Sequence, residues 1–259
     1  MDWFDPSDEV VVHPGVDRAR FWRRKYGRDT IDVAPQVVLA NNGHGRLLDA
    51  VCQALDQRAV VVCDHRQQGY CHYRTSAGPV TVYRAPEPAP YAAADLEFLI
   101  SAGAQQIVFL NGAGSLRADL PVGSMLLPEG LLREEGTSYH YCPAGVELRT
   151  SERLNARILA VANALGVELV RGRHWTTDAI YRETWPKVER YRALGIHSVD
   201  MELSALAGVA RYRGCELSAV LVVTDVLSRS HTWEGTRSAQ FQVGVKQAAE
   251  IAAKVFSYE

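Results

Sequence analysis

The chain has 259 residues, with 28 Lys and Arg against 30 Asp and Glu and a formal net charge of −2. That balance excludes a whole-surface electrostatic partnership with nucleic acid or an anionic membrane, so any anion must be held locally. Hydrophobic residues at 47% supply a sizeable core, and the length fits one α/β domain.

The N-terminal residues MDWFDPSDEVVV lack a basic segment leading into an apolar run, so no signal peptide is expected. No apolar stretch reaches the roughly 20 residues of a bilayer span. Five cysteines, an odd number without a C-x-x-C pair, fit a reduced compartment better than a disulfide framework. A soluble, cytoplasmic protein is expected.

Residues 1–35 read as an N-terminal extension packed on a domain covering 36–259. Within the extension, FWRRKYGRD reads as a short basic helix with a solvated face. Strand-like runs follow at QVVLA (36–40), AVVVC (59–63), VTVYR (80–84), QIVFL (106–110), SMLLP (124–128) and AVLVV (219–223). Helical patterns lie between them, in GRLLDAVCQAL, AAADLEFLISAG, SERLNARILAVANALG and MELSALAGVARYRG, and the chain closes on SAQFQVGVKQAAEIAAKVF. Gly166 and Gly214 suit helix ends. The alternation predicts a single α/β domain: a central mixed, largely parallel twisted sheet flanked by helices. In such folds ligands gather where strands end and loops begin.

The stretch SVDMELSALAGVARYRGCELSAVLVVTDVLS (198–228) is the most informative. Asp200 and Glu202 bracket Met201 ahead of an apolar helix, and a hydrophobic strand then ends at Thr224-Asp225. Taken singly, each acid suits a helix start or a cap. Together with their flanks they resemble the nucleoside phosphorylase superfamily, whose members carry a V-[DE]-M-E helix start and a strand ending in [ST]-D. TTDAIYRETWPKVERYRALG (176–195) resembles that family's base-covering segment, and PEGLLREEGTSYHY (128–141) its loop ending in E-G-T-S-Y.

The resemblance implies a fold and a set of roles. Glu202 would grip a ribose hydroxyl with Met201 packed under the sugar and Asp200 beside them. Asp225 would serve a purine-type leaving group, assisted by Arg237 from the last helix. Tyr181 would cover the base, with Ile180 where a stacking aromatic often stands. Tyr139 and His140 would approach base or sugar from their loop. Breaking an N-glycosidic bond leaves positive charge on the sugar and negative charge on the base, so carboxylates at both ends suit the chemistry. A homo-oligomer, dimer or hexamer, is implied too.

The phosphate site departs from the family pattern. Where G-D-P-x-R is usual, this chain reads ANNGHGR, with His44 and Arg46. APEPAPYAA (85–93) replaces a Gly-rich loop and adds Glu87. FLNGAGSLR places Phe109 at an expected arginine and Gly112 at an expected hydroxyl. Arg46 and Arg66 could rebuild part of an oxyanion site. Either phosphate or water is therefore open as the co-substrate. For water, His44, Glu87, or Asp8 and Glu9 are the candidate bases.

Other classes fit less well. NGAGSLR after QIVFL mimics a dinucleotide fingerprint but lacks the third glycine and the following helix. No Cys/His spacing matches a metal site, and no cofactor is implied. The alternative reading is a repurposed or non-catalytic relative that binds a nucleoside in a specialised biosynthetic pathway.

Overall fold

Val37 to Ala40 point alternately into two apolar layers, and the same alternation recurs across the sheet. The computed structural model describes all residues except 1–2, 8, 28–30, 42–45, 229–232 and 258–259. At its centre lie β1 (Gln36–Asn41), β5 (Gln106–Ser115) and β10 (Glu216–Val226). Val38, Val108 and Val220 enter one core layer, while Leu39, Phe109 and Leu221 enter the other. Burial on both faces explains why these strands read as continuous apolar runs.

Outward from β1 the sheet continues through β4 (Gly78–Ala85), β3 (Tyr70–Thr75) and β2 (Val60–His65). On the other side β10 pairs with β6 (Met125–Glu134), β6 with β8 (Val170–Thr177), β8 with β9 (Ile196–Asp200), and β9 returns to β5. Those five strands close a ring. A short β7 (Leu148–Arg149) pairs with β6. β1–β4, β1–β5, β5–β10, β6–β8 and β8–β9 are parallel and the remaining pairs antiparallel, so the sheet is mixed and parallel at its centre.

Helices α2 (Leu47–Asp56), α4 (Glu152–Ala164) and α7 (Ala239–Lys254) cover one face. On the opposite face lie α3 (Ala89–Ser101) and α6 (Leu203–Arg213). α5 (Trp185–Ala193) closes a smaller cluster of Trp175, Val188, Tyr191 and Leu227. Among the described residues no helix is long and apolar enough to cross a membrane.

One local expectation changes, and some strands are added. FWRRKY (21–26) belongs to a longer helix, α1 (Pro14–Tyr26), and it is not simply a solvated face. Phe21 stacks on Phe98 with centroids 4.2 Å apart and Trp22 is fully buried, while Arg20, Arg23 and Arg24 stay exposed. Strands β3, β8 and β9 are not legible in the sequence, because YCHYRT, VRGRHWTT and IHSVD mix polar residues into positions the sheet buries. The NGAG segment opens no helix: it carries β5 straight on to Ser115, which removes the basis of a dinucleotide turn.

Candidate active site

The carboxyl ends of four strands converge on one cavity. Asn41 ends β1, Asn111 to Gly114 extend β5, Asp200 ends β9, and Thr224-Asp225 lie near the end of β10. Glu87, Met201, Glu202 and Glu183 complete most of its polar wall. Gly114 packs closely here: a Cβ would stand 2.7 Å from Leu227 Cδ1 and 3.2 Å from Val199 Cγ1, so either side chain would have to shift to admit one.

One polar group of the wall is built around Asp200. Its Oδ1 accepts from Thr176 Oγ1 at 2.9 Å and lies 2.8 Å from His174 Nε2. Its Oδ2 accepts from Leu203 N at 3.1 Å, which satisfies a free amide in the first turn of α6. Asp200 is thus bonded to β8 and to the first turn of α6, with Glu202 close beside it. Glu202 occupies the N-cap position of α6 without capping it. Its Oε2 accepts instead from Asn111 Nδ2 at 2.9 Å and Met201 N at 3.2 Å. Burial, followed by the nearby charge of Asp200, pushes the Glu202 carboxyl well above the usual carboxylate range.

Beside it, Met201 O accepts from Ala89 N at 3.0 Å, which ties the Pro86–Pro88 segment to this group. Asn41 Nδ2 donates to Glu87 Oε1 in that segment. On the far side of the cavity, Asp225 is buried and accepts from Thr224 Oγ1 at 2.5 Å. Glu183 faces the same space, and burial together with the charge of Asp225 pushes its carboxyl up to about 7.

Five carboxylates therefore line the cavity: Glu87, Glu183, Asp200, Glu202 and Asp225. No Lys, Arg or His does so among the described residues. No group of three His, Cys, Asp or Glu among those residues could hold a metal ion.

Several expected site residues lie elsewhere. Tyr181 is 95% exposed and does not line the cavity. It sits in the 3₁₀ turn Ile180–Arg182, where side chains three apart share a face; Ile180 and Glu183 take the cavity face and Tyr181 turns to solvent. Tyr139 donates to Arg133 O at 3.1 Å and lies under the Arg133 guanidinium, so its loop is pinned internally. His140 stacks on Trp3 in a separate groove that Glu9 also lines.

Arg237 is exposed, within the 3₁₀ turn Trp233–Arg237 ahead of α7, and is not on the cavity wall. It is Gly235 that meets the strand end. Arg46 and Arg66 line a different cavity between α2 and α7, with Arg84 and Lys246. Arg46 pairs with Asp49 at 2.7 Å, and Arg66 is clamped between Asp56 and Asp64, which raises its pKa further. Phe109, at the expected arginine position, is fully buried in the core, and Gly112 lines the cavity. His44 and Asp8 lie outside the described residues.

Sequence reading missed Asn111, His174 and Glu183. Asn111 lay inside a glycine-rich string and Glu183 inside a segment read for its aromatic residue. His174 carried no motif at all.

Comparison with known proteins agrees with this architecture. The profile described as "Phosphorylase superfamily" matches residues 37–257. The chain belongs to this superfamily. A guanosine phosphorylase of Halorubrum lacusprofundi is 28% identical over 136 residues, covering 52% of this chain and 56% of the relative. A uridine phosphorylase of Treponema pallidum is 27% identical over 156 residues, covering 56% and 60%. The chain thus spans less than two thirds of the length of these curated relatives.

Among solved structures, a purine nucleoside phosphorylase from Toxoplasma gondii in complex with immucillin-H superposes with a TM-score of 0.73 at 21% identity, covering 87% of this chain and 91% of that one. An AMP nucleosidase from Bacteroides thetaiotaomicron gives a TM-score of 0.67 at 21% identity, covering 90% and 95%. At such identities the superfamily likeness of these structures is one of fold.

Proposed function

We propose that this phosphorylase-superfamily protein binds a nucleoside, purine-type in preference, and cleaves its N-glycosidic bond with water. Glu202 holds the ribose over Met201, supported by Asn111 and Asp200. Asp225 meets the base. The observation that carries the choice of water is the acidic wall of the cavity, to which Glu87, Glu183, Asp200, Glu202 and Asp225 all contribute. A phosphate dianion entering that space would meet like charge at short range, whereas a neutral water would not. The arginines that could have held phosphate are paired with carboxylates in another cavity.

The same charge suits the reaction. Carboxyl groups near the sugar suit the positive charge that develops as the bond breaks. Glu87, next to Asn41 and Glu202, is the described carboxylate best placed to accept a proton from the attacking water.

Calorimetric titration with adenosine, inosine, guanosine and uridine tests the binding half of this reading. Wild type should bind at least one purine nucleoside, and Glu202→Ala should bind it at least tenfold more weakly. Equal affinity in the two proteins would remove Glu202 from the sugar site.

A further inference from the structure

The base end of the cavity holds two carboxyls. Asp225 comes from β10, and its position follows from strand geometry. Glu183 comes from the short segment between β8 and α5, where the 3₁₀ turn puts it on the same face as Ile180. Both line one cavity, so a bound base would lie against both.

Their surroundings differ. Asp225 already accepts a hydrogen bond from the Thr224 hydroxyl. Glu183 is partly buried, and no hydrogen-bond donor or cation contacts its carboxyl among the described residues. The one nearby cation is Lys187 of α5, but its Nζ is 2.5 Å from Glu134 Oε1 of β6. Glu134 also accepts from the Tyr191 hydroxyl at 3.2 Å. The groups facing Glu183 are therefore Asp225, which opposes its ionisation, and a Lys187–Glu134 pair whose charges largely offset each other. A carboxyl beside another carboxylate holds its proton more readily than one standing alone.

We propose that Glu183 is the proton donor at the base end of the cavity, with Asp225 as its electrostatic partner. This rests on the glycosidic-bond reading above. As the C1′–N bond breaks, its electron pair passes to the base, and the Glu183 carboxyl gives its proton to a ring nitrogen or oxygen of that base. Water forms the new C1′–O bond and releases one proton, and solvent exchange returns a proton to Glu183, so the cycle closes without a co-reactant. A carboxyl pushed up to about 7 is suited to this exchange near neutral pH.

Two substrates and one variant test the assignment. A purine nucleoside needs its leaving group protonated, whereas 4-nitrophenyl β-D-riboside expels a weakly basic phenolate that does not. Wild type should cleave the nucleoside with kcat/KM falling above an apparent pKa near 7. Glu183→Gln should lose roughly 10²–10⁴-fold on the nucleoside, lose the alkaline limb, and cleave the nitrophenyl riboside within about threefold of wild type. Equal slowing of both substrates, or an unchanged alkaline limb in the variant, would overturn the role of Glu183 while leaving the glycosidic reading intact. A wild type that cleaves neither substrate would overturn that reading, and the proposal with it.

Discussion

Asn111 Nδ2 donates to Glu202 Oε2 across 2.9 Å, which joins the extended end of β5 to the first residue of α6. The same nitrogen lies 3.3 Å from Asp200 Oδ2, so one amide stands between two buried acids. A hydrogen bond to a charged group is worth about 1.5–3 kcal/mol. Asn111→Ala should therefore weaken nucleoside binding by roughly 10–100-fold, measured by titration calorimetry. Leucine at 111 should do the same, and an unchanged Kd would show that Glu202 does not need this support.

Burial of the Glu202 carboxyl has a consequence for stability. Folding raises its pKa, so the native state holds the proton more tightly than the unfolded chain, whose glutamates titrate near about 4.3. Stability contributed by this group is greatest in acid and falls as pH rises from the unfolded value toward the native one. Glu202→Gln keeps an acceptor for Asn111 and removes the ionisation. Ligand-free melting at pH 7–8 should then occur at a higher Tm than wild type, by roughly 2–4 °C for each kcal/mol relieved. The gain should vanish near pH 4, and nucleoside affinity should be lost at both.

How much of this was legible from residues alone varied with the physics of each element. The continuous apolar runs that became β1, β5 and β10 stand out because both faces are buried. Strand β8 does not, because VRGRHWTT reads as polar until His174 and Thr176 are seen supporting Asp200. Asp200, Met201, Glu202 and Asp225 were found by their motif and share one cavity. Tyr181 was misplaced because a motif gives spacing but not the handedness of a 3₁₀ turn, which decided that Glu183 and not the aromatic ring faces inward. Arg46 and Arg66 were candidates by residue type. Only their pairing with Asp49, Asp56 and Asp64 showed them occupied elsewhere.

Asp225→Asn retains an oxygen for the Thr224 hydroxyl but removes the negative charge at the base end. Turnover of a purine nucleoside should fall roughly 10²–10⁴-fold with little change in KM. Steady-state kinetics of base release check this, and wild-type kcat in the variant would remove Asp225 from the chemistry.

Gly235 holds the 3₁₀ turn ahead of α7 against the strand end that carries Asp225. A Cβ there would lie 1.9 Å from Thr224 O and 2.9 Å from Val122 Cγ2. A backbone oxygen cannot move aside without moving the strand, so Gly235→Ala should lower turnover at least tenfold and destabilise the fold by about 1–3 kcal/mol. Chemical denaturation and kinetics of the same preparation measure both effects.

The decisive measurement is incubation of the purified protein with a nucleoside panel, with and without inorganic phosphate, and chromatography of the products. The carboxylate-lined cavity predicts free base and free sugar at a rate that phosphate does not raise, with a purine nucleoside as the preferred substrate. Strictly phosphate-dependent release yielding a sugar 1-phosphate would contradict the water reading. Release of no base from any nucleoside would contradict the proposed glycosidic activity altogether.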